Sequence, residues 1–274
     1  MSKYLLCQLK EAKIPYYIKA ISTNIYTIEE LCFYLYHNVY LIDDSIINEQ
    51  LCDWLKDELG LKKLYKRLYE ELEKKVSIGN FVLPIFKEIH YLSHEDFKEM
   101  QEKIRKIEVQ PEDIRKKLKG DYLVTHNMYS NAIGVYHSII TEPKDGALGN
   151  QFYADVWSNM GVAYAKLFLF EETAKCYEKA YERKASTKNL ENYLCALWLS
   201  HTGKEFKEIV KKKGIDYKKV IQLEDKLQKV YEGIEESPRY QVVSSDSEQS
   251  LDRKEEMEKI IKELMQEYKR STCS

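Results

Sequence analysis

Helix breakers are scarce in this chain. Its 274 residues include 10 Gly and 5 Pro, too few for the tight turns that an all-β fold needs between its strands. Apolar residues make up 44 % and charged residues 32 %, so a buried core and a solvated helical surface can come from one sequence. The apolar positions recur at spacings of three and four, the signature of a helix with one buried face. An all-α fold is expected.

Punctuation between the apolar stripes sets the elements. Pro15 restrains Ile14 toward extended geometry, so residues 14–18 are expected to form a short extended piece. Thr27 and Glu30 stand as a capping box, with Tyr26 and Leu31 at the staple positions. The helix they open is expected to run to about Tyr40. The Asp43-Asp44-Ser45 cap region precedes a second helix carrying Ile47, Leu51, Trp54 and Leu55, and Gly60 stands where a C-terminal cap belongs. A third helix is expected over residues 61–76. A fourth is expected over residues 81–91 with Pro84 near its start, where a missing N–H costs little. Ser93 with Asp96 marks a fifth start. Residues 1–109 therefore read as an N-terminal helical module.

Beyond Pro111 the pattern sharpens. Trp157, Met160, Gly161 and Tyr164 are followed by Tyr177 and Ala180, with the small residues Thr173 and Ala174 between. The spacing has a packing reason. Gly161 lets a second helix approach the first, Tyr164 fills the space between them, and Ala180 admits the helix that follows. Gly120, Ala132, Tyr136 and Ile139 repeat the positions of Gly161, Thr173, Tyr177 and Ala180, each at an offset of 41 residues. A third unit is expected from Ser186 onward, with Leu190, Leu194, Leu197 and Trp198 on one helix, a break at Gly203, and Phe206, Ile209 and Val210 on the next.

These spacings resemble the tetratricopeptide repeat (TPR) motif, W-x2-L-G-x2-Y followed by a small residue and an aromatic. The usual period is roughly 34 residues, and a polar insertion at residues 142–150 accounts for the longer offset. The resemblance covers residues 111–213, and the N-terminal half resembles leader regions of uncharacterised bacterial TPR proteins. It implies helical hairpins stacked as a short α-solenoid, and a protein or peptide partner held in a concave groove. The groove candidates are Lys117, Asp121, Asp155, Asn159, Val162 and Lys166. Some family members clamp a chaperone carboxylate with Lys and Asn. Lys117 and Asn159 fit that pattern, but Asp121 stands where a second Asn is expected, and Asn189 and Tyr193 stand where cations are expected. A carboxylate would meet repulsion there.

The expected organisation is an N-terminal module over 1–109, TPR-like repeats with a capping helix over 110–236, a flexible Ser- and acid-rich linker over 237–250, and an amphipathic helix over 251–274. That last helix carries Met257, Ile260, Ile261, Leu264, Met265 and Tyr268 on one stripe, suited to docking or self-association.

Other chemistries find little support. No hydrolase elbow, P-loop or dinucleotide fingerprint is present, so no enzyme and no cofactor are expected. Cys7, Cys32, Cys52, Cys176, Cys195 and Cys273 form no C-x-x-C pair, and the four central ones lie among apolar helical residues as small hydrophobes. His90 and His94 are four apart, but a helix start at Ser93 separates them, so no metal site is expected. The net charge of −2 and the short, balanced basic runs argue against nucleic acid. No signal peptide or membrane-length apolar run is visible. The expected function is a cytoplasmic, non-catalytic scaffold or adaptor. The alternative is a peptide-sensing regulator whose N-terminal module is the effector.

Overall fold

A computed structural model describes residues 10–74, 77–144, 148–237, 240, 243 and 251–272. Helix dominates these residues, and the fold is all-α apart from one small hairpin. They divide into two compact units, with the change between Lys119 and Gly120.

The first unit opens with strands β1 (Tyr16–Ile18) and β2 (Thr23–Ile25), antiparallel with Tyr16 opposite Ile25. The extended piece expected from Pro15 is one arm of this hairpin. An isolated two-stranded hairpin is marginal in water. This one is anchored by later residues. The Trp54 indole N–H donates to the Ile14 carbonyl at 2.9 Å, and the N–H groups of Lys13 and Ile14 donate to Glu58 Oε2 at 2.9 and 3.1 Å.

Five helices follow, α1 (Ile28–His37), α2 (Glu49–Asp57), α3 (Lys62–Glu73), α4 (Ile78–Glu88) and α5 (His94–Glu108). The capping box at Thr27 and Glu30 and the Ser93 cap form as expected. Gly60 takes φ +75° after α2, the left-handed geometry of a helix C-terminal cap. Three expectations shift. α1 ends at His37, because Asn38 turns both its backbone N–H and its side-chain amide onto the Tyr34 carbonyl, and a 3₁₀ turn (Val39–Leu41) follows. The cap of α2 is Asn48, whose Oδ1 accepts from the Leu51 N–H at 2.8 Å, rather than residues 43–45. α4 starts earlier, capped by Ser77, so Pro84 sits inside the helix and leaves the Asn80 carbonyl without its helical donor.

Helix α6 (Glu112–Thr125) contributes its first turns to this unit and its last to the second. The expected module boundary at 109/110 falls earlier, in the turn between α5 and α6. The second unit continues with α7 (Tyr129–Thr141), α8 (Asn150–Lys166), α9 (Phe170–Arg183), α10 (Thr187–Ser200), α11 (Gly203–Lys212), α12 (Tyr217–Glu235) and α13 (Leu251–Thr272). Successive helices pack, α7 on α8, α8 on α9 and α9 on α10. Tyr177, Leu194, Leu197, Phe206, Val210 and Leu223 join α9 to α12 in one core. α10 starts from the Ser186 cap as expected, and Gly203 opens α11 behind a Thr202/Glu205 capping box. α13 rests on α7, where the Ser130 hydroxyl donates to the Ser271 carbonyl at 3.0 Å. The linker expected over 237–250 lies outside the described residues except at 237, 240 and 243, and Cys7 and Cys273 also lie outside them.

Among the described residues no helix is long and apolar enough to cross a membrane, and no group of three potential metal ligands occurs. His90 lies in a left-handed turn after α4 while His94 opens α5, so they share no helix. Cys32, Cys52, Cys176 and Cys195 are free thiols. Burial, reinforced by nearby acids, pushes Cys52 and Cys176 up to about 12, which keeps both protonated and unreactive at neutral pH.

Candidate functional site

The groove candidates lie on α6 and α8, so their geometry depends on how two helix hairpins, α6/α7 and α8/α9, are built. Each is held at a glycine. A Cβ at Gly161 would lie 3.1 Å from the ring of Tyr177 and 3.3 Å from Cys176 Cβ. A Cβ at Gly120 would lie 2.5 Å from the ring of Tyr136. A Cβ would overlap the ring at Gly120 and press on it at Gly161, so glycine lets each tyrosine ring close on the first helix.

The turns match as well. Asn127 and Phe168, 41 residues apart, both take φ +61°. In the first turn the Met128 N–H donates to the Leu123 carbonyl at 2.9 Å; in the second the Leu169 N–H donates to the Tyr164 carbonyl at 3.0 Å. Leu123, fully buried, occupies the place of Tyr164. Ala132 and Ile139 are buried like Thr173 and Ala180. The 41-residue offset is therefore present in the backbone as well as in the side chains. Trp157 is half-buried with its indole N–H shielded and without an acceptor among the described residues, and Met160 is buried.

The groove candidates separate into two kinds. Asp121 Oδ1 accepts from the Tyr136 hydroxyl at 2.6 Å and from the Asn159 amide at 2.7 Å, tying α6, α7 and α8 together. Burial raises the Tyr136 hydroxyl, and its bond to the Asp121 carboxylate raises it further. Val162 stands at the position of Asp121 in the next hairpin and packs against the core of α9 to α12. These three side chains hold helices at their spacing. Asp155, bonded to the Gln151 amide at 2.7 Å, and Lys166 are exposed. Lys117 lies half-buried one turn before Asp121 on α6. Asn189 is buried and its amide donates to the Lys184 carbonyl at 3.0 Å, while Tyr193 is buried with its hydroxyl on Glu178. Both side chains are therefore engaged in holding the chain together.

Two further surfaces carry no sequence motif. Phe168 is 78 % exposed at the tip of its turn, beside the exposed Leu169. A cavity of about 370 Å³ lies in the first unit, where the start of α6 meets the ends of other elements. Its lining includes Asp43, Asp44, Ser45 and Ile47, which the sequence suggests as a helix cap region and a helix stripe, and Arg115 and Lys116 from one of the short basic runs. On α13, Ile261, Leu264, Met265 and Tyr268 are exposed, whereas Met257 and Ile260 are half-buried.

Comparison with protein-family models, curated proteins and solved structures found no match for this chain.

Proposed function

We propose that the chain is a non-catalytic, TPR-like protein-binding scaffold of the cytoplasm, presenting α8 and its neighbours to a peptide or helix of a partner protein. The repeated hairpin carries this reading. Two helix pairs share a glycine contact, a left-handed turn and a 41-residue offset, and such units build extended surfaces by stacking. Asp121, Asn159 and Val162 set the spacing of that surface, which leaves the exposed Asp155 and Lys166 as its contact groups. The mixed signs of these groups favour a partner peptide carrying both charges over nucleic acid. The exposed stripe of α13 supplies a second contact, for a partner or for another copy of the chain.

Affinity capture with the full chain tests the reading. The double variant Asp155→Lys/Lys166→Glu reverses two exposed charges and is expected to lose a partner that wild type retains. Reversal of the exposed Lys98 on α5 serves as the control. An unchanged set of partners counts against the groove. For α13, sedimentation of wild type against Leu264→Asp reads self-association directly.

A further inference from the structure

The cavity of the first unit has two chemically distinct walls. Ile42, Ile47, Ile78 and Ile107, from three separate stretches of chain, form an apolar side. Charged groups from the turn after α1 and from the first turns of α6 form the other. A volume of about 370 Å³ suits a small organic molecule rather than a single ion.

The lining carries three acidic and three basic side chains, Asp43, Asp44 and Glu112 against Arg115, Lys116 and Lys119, and not all of them are paired. Lys119 pairs with Asp43 at 2.5 Å, and Lys116 pairs with Glu112 at 2.8 Å across one helical turn. Burial acts to raise the Asp43 carboxyl, but the Lys119 charge and hydrogen bonds from Lys119 and Ser45 hold it below the usual carboxylate range. Two lining groups are left over. Arg115 makes no ion pair among the described residues, and its Nε is buried without an acceptor. Asp44 is exposed at the rim, also without a bonded partner among the described residues. A half-buried guanidinium with no ion pair at a cavity wall is costly, and a carboxylate in the cavity offsets that cost with charge-assisted hydrogen bonds. A single spare cation does not balance a polyphosphate. A spare carboxylate at the rim disfavours a simple anion and favours a ligand that also carries an ammonium group.

We propose that this cavity binds a zwitterionic aliphatic ligand, an apolar α-amino acid being the simplest, with its carboxylate on Arg115, its apolar body on the isoleucine wall and its ammonium toward Asp44. This site is independent of the scaffold reading, since all of its residues precede Gly120.

Calorimetric titration of the full chain with L-leucine is the test, alongside leucinamide, which lacks the carboxylate, and 4-methylpentanoate, which lacks the ammonium. Leucine is expected to bind most tightly and leucinamide least. Arg115→Gln is expected to weaken leucine by about tenfold or more, the size of a charge-assisted hydrogen bond. Asp44→Asn is expected to weaken leucine while leaving 4-methylpentanoate unchanged, and because Asp44 is exposed this variant reads binding without disturbing the fold. Failure of leucine to bind at millimolar concentration overturns the site. Equal binding of leucinamide, or leucine binding unaffected by Arg115→Gln in a variant that melts like wild type, overturns the role of Arg115. Binding of 4-methylpentanoate as tight as that of leucine overturns the zwitterion assignment.

Discussion

Hairpins α6/α7 and α8/α9 share a backbone plan and fasten it with different chemistry. In the first, the buried Tyr136 hydroxyl reaches Asp121, which also holds Asn159. In the second, Val162 replaces the aspartate and joins an apolar core. The first turn places Asn127 in the left-handed region, where its side chain accepts from the Tyr129 hydroxyl at 2.6 Å. The second places the bulky Phe168 there, mostly exposed. The comparison teaches that the repeat is defined by where a ring meets a glycine. The polar or apolar filling around that contact is free to vary.

Glycine substitution should separate the hairpins most strongly. Gly120→Ala forces a Cβ into the Tyr136 ring, and overpacking of this kind costs about 2–3 kcal/mol. Gly161→Ala meets softer contacts and gains helix propensity, so its net cost is expected to stay below about 1 kcal/mol. Urea denaturation of both variants measures the difference; equal losses would break the distinction. Gly161→Trp overfills the site outright and should lower the melting temperature more than Gly161→Ala does.

The tyrosines come next. Tyr136→Phe removes a bond to a carboxylate and is expected to cost about 1.5–2 kcal/mol. Tyr177→Phe should stay within about 0.5 kcal/mol at neutral pH. Alkaline titration sharpens the pair. Unfolded tyrosine ionises near ~10, whereas burial raises both hydroxyls in the folded state, Tyr177 to about 12 with its neighbours Cys176 and Cys195 adding to the effect. Their contribution is therefore complete below about pH 10 and is lost as pH rises toward the folded values. Either Phe variant should flatten the alkaline fall in stability. A fall that keeps its slope in both would remove these residues as its cause.

The turns give the smallest effect. Phe168→Asn should raise stability by about 0.5–1 kcal/mol, because Asn tolerates the left-handed region and Phe does not. A thermal melt no higher than wild type would mean that the Phe168 ring contributes as much as its backbone strain costs.

Much of the fold was legible because its signals are local. The Thr27/Glu30 box, the Ser93 and Ser186 caps and Gly60 each act within one turn of chain. The 41-residue offset was legible because packing a ring on a glycine demands both residue types at fixed separation. What escaped depends on distant partners. The N-terminal hairpin needs Trp54 and Glu58 to hold it. Asp121 reads as a groove residue by position, yet its carboxylate is engaged by a tyrosine on the next helix and an amide on the one after. The cavity gathers isoleucines from residues 42 to 107, and no spacing rule joins them.

The anchoring of the N-terminal hairpin also sets an order of events during synthesis. Strands β1 and β2 leave the ribosome before the indole and carboxylate that fix them, which lie on α2 and just beyond it, at Trp54 and Glu58. Two three-residue strands do not persist alone in water. The hairpin must therefore wait, unpaired, until residues 54–58 have emerged to receive it.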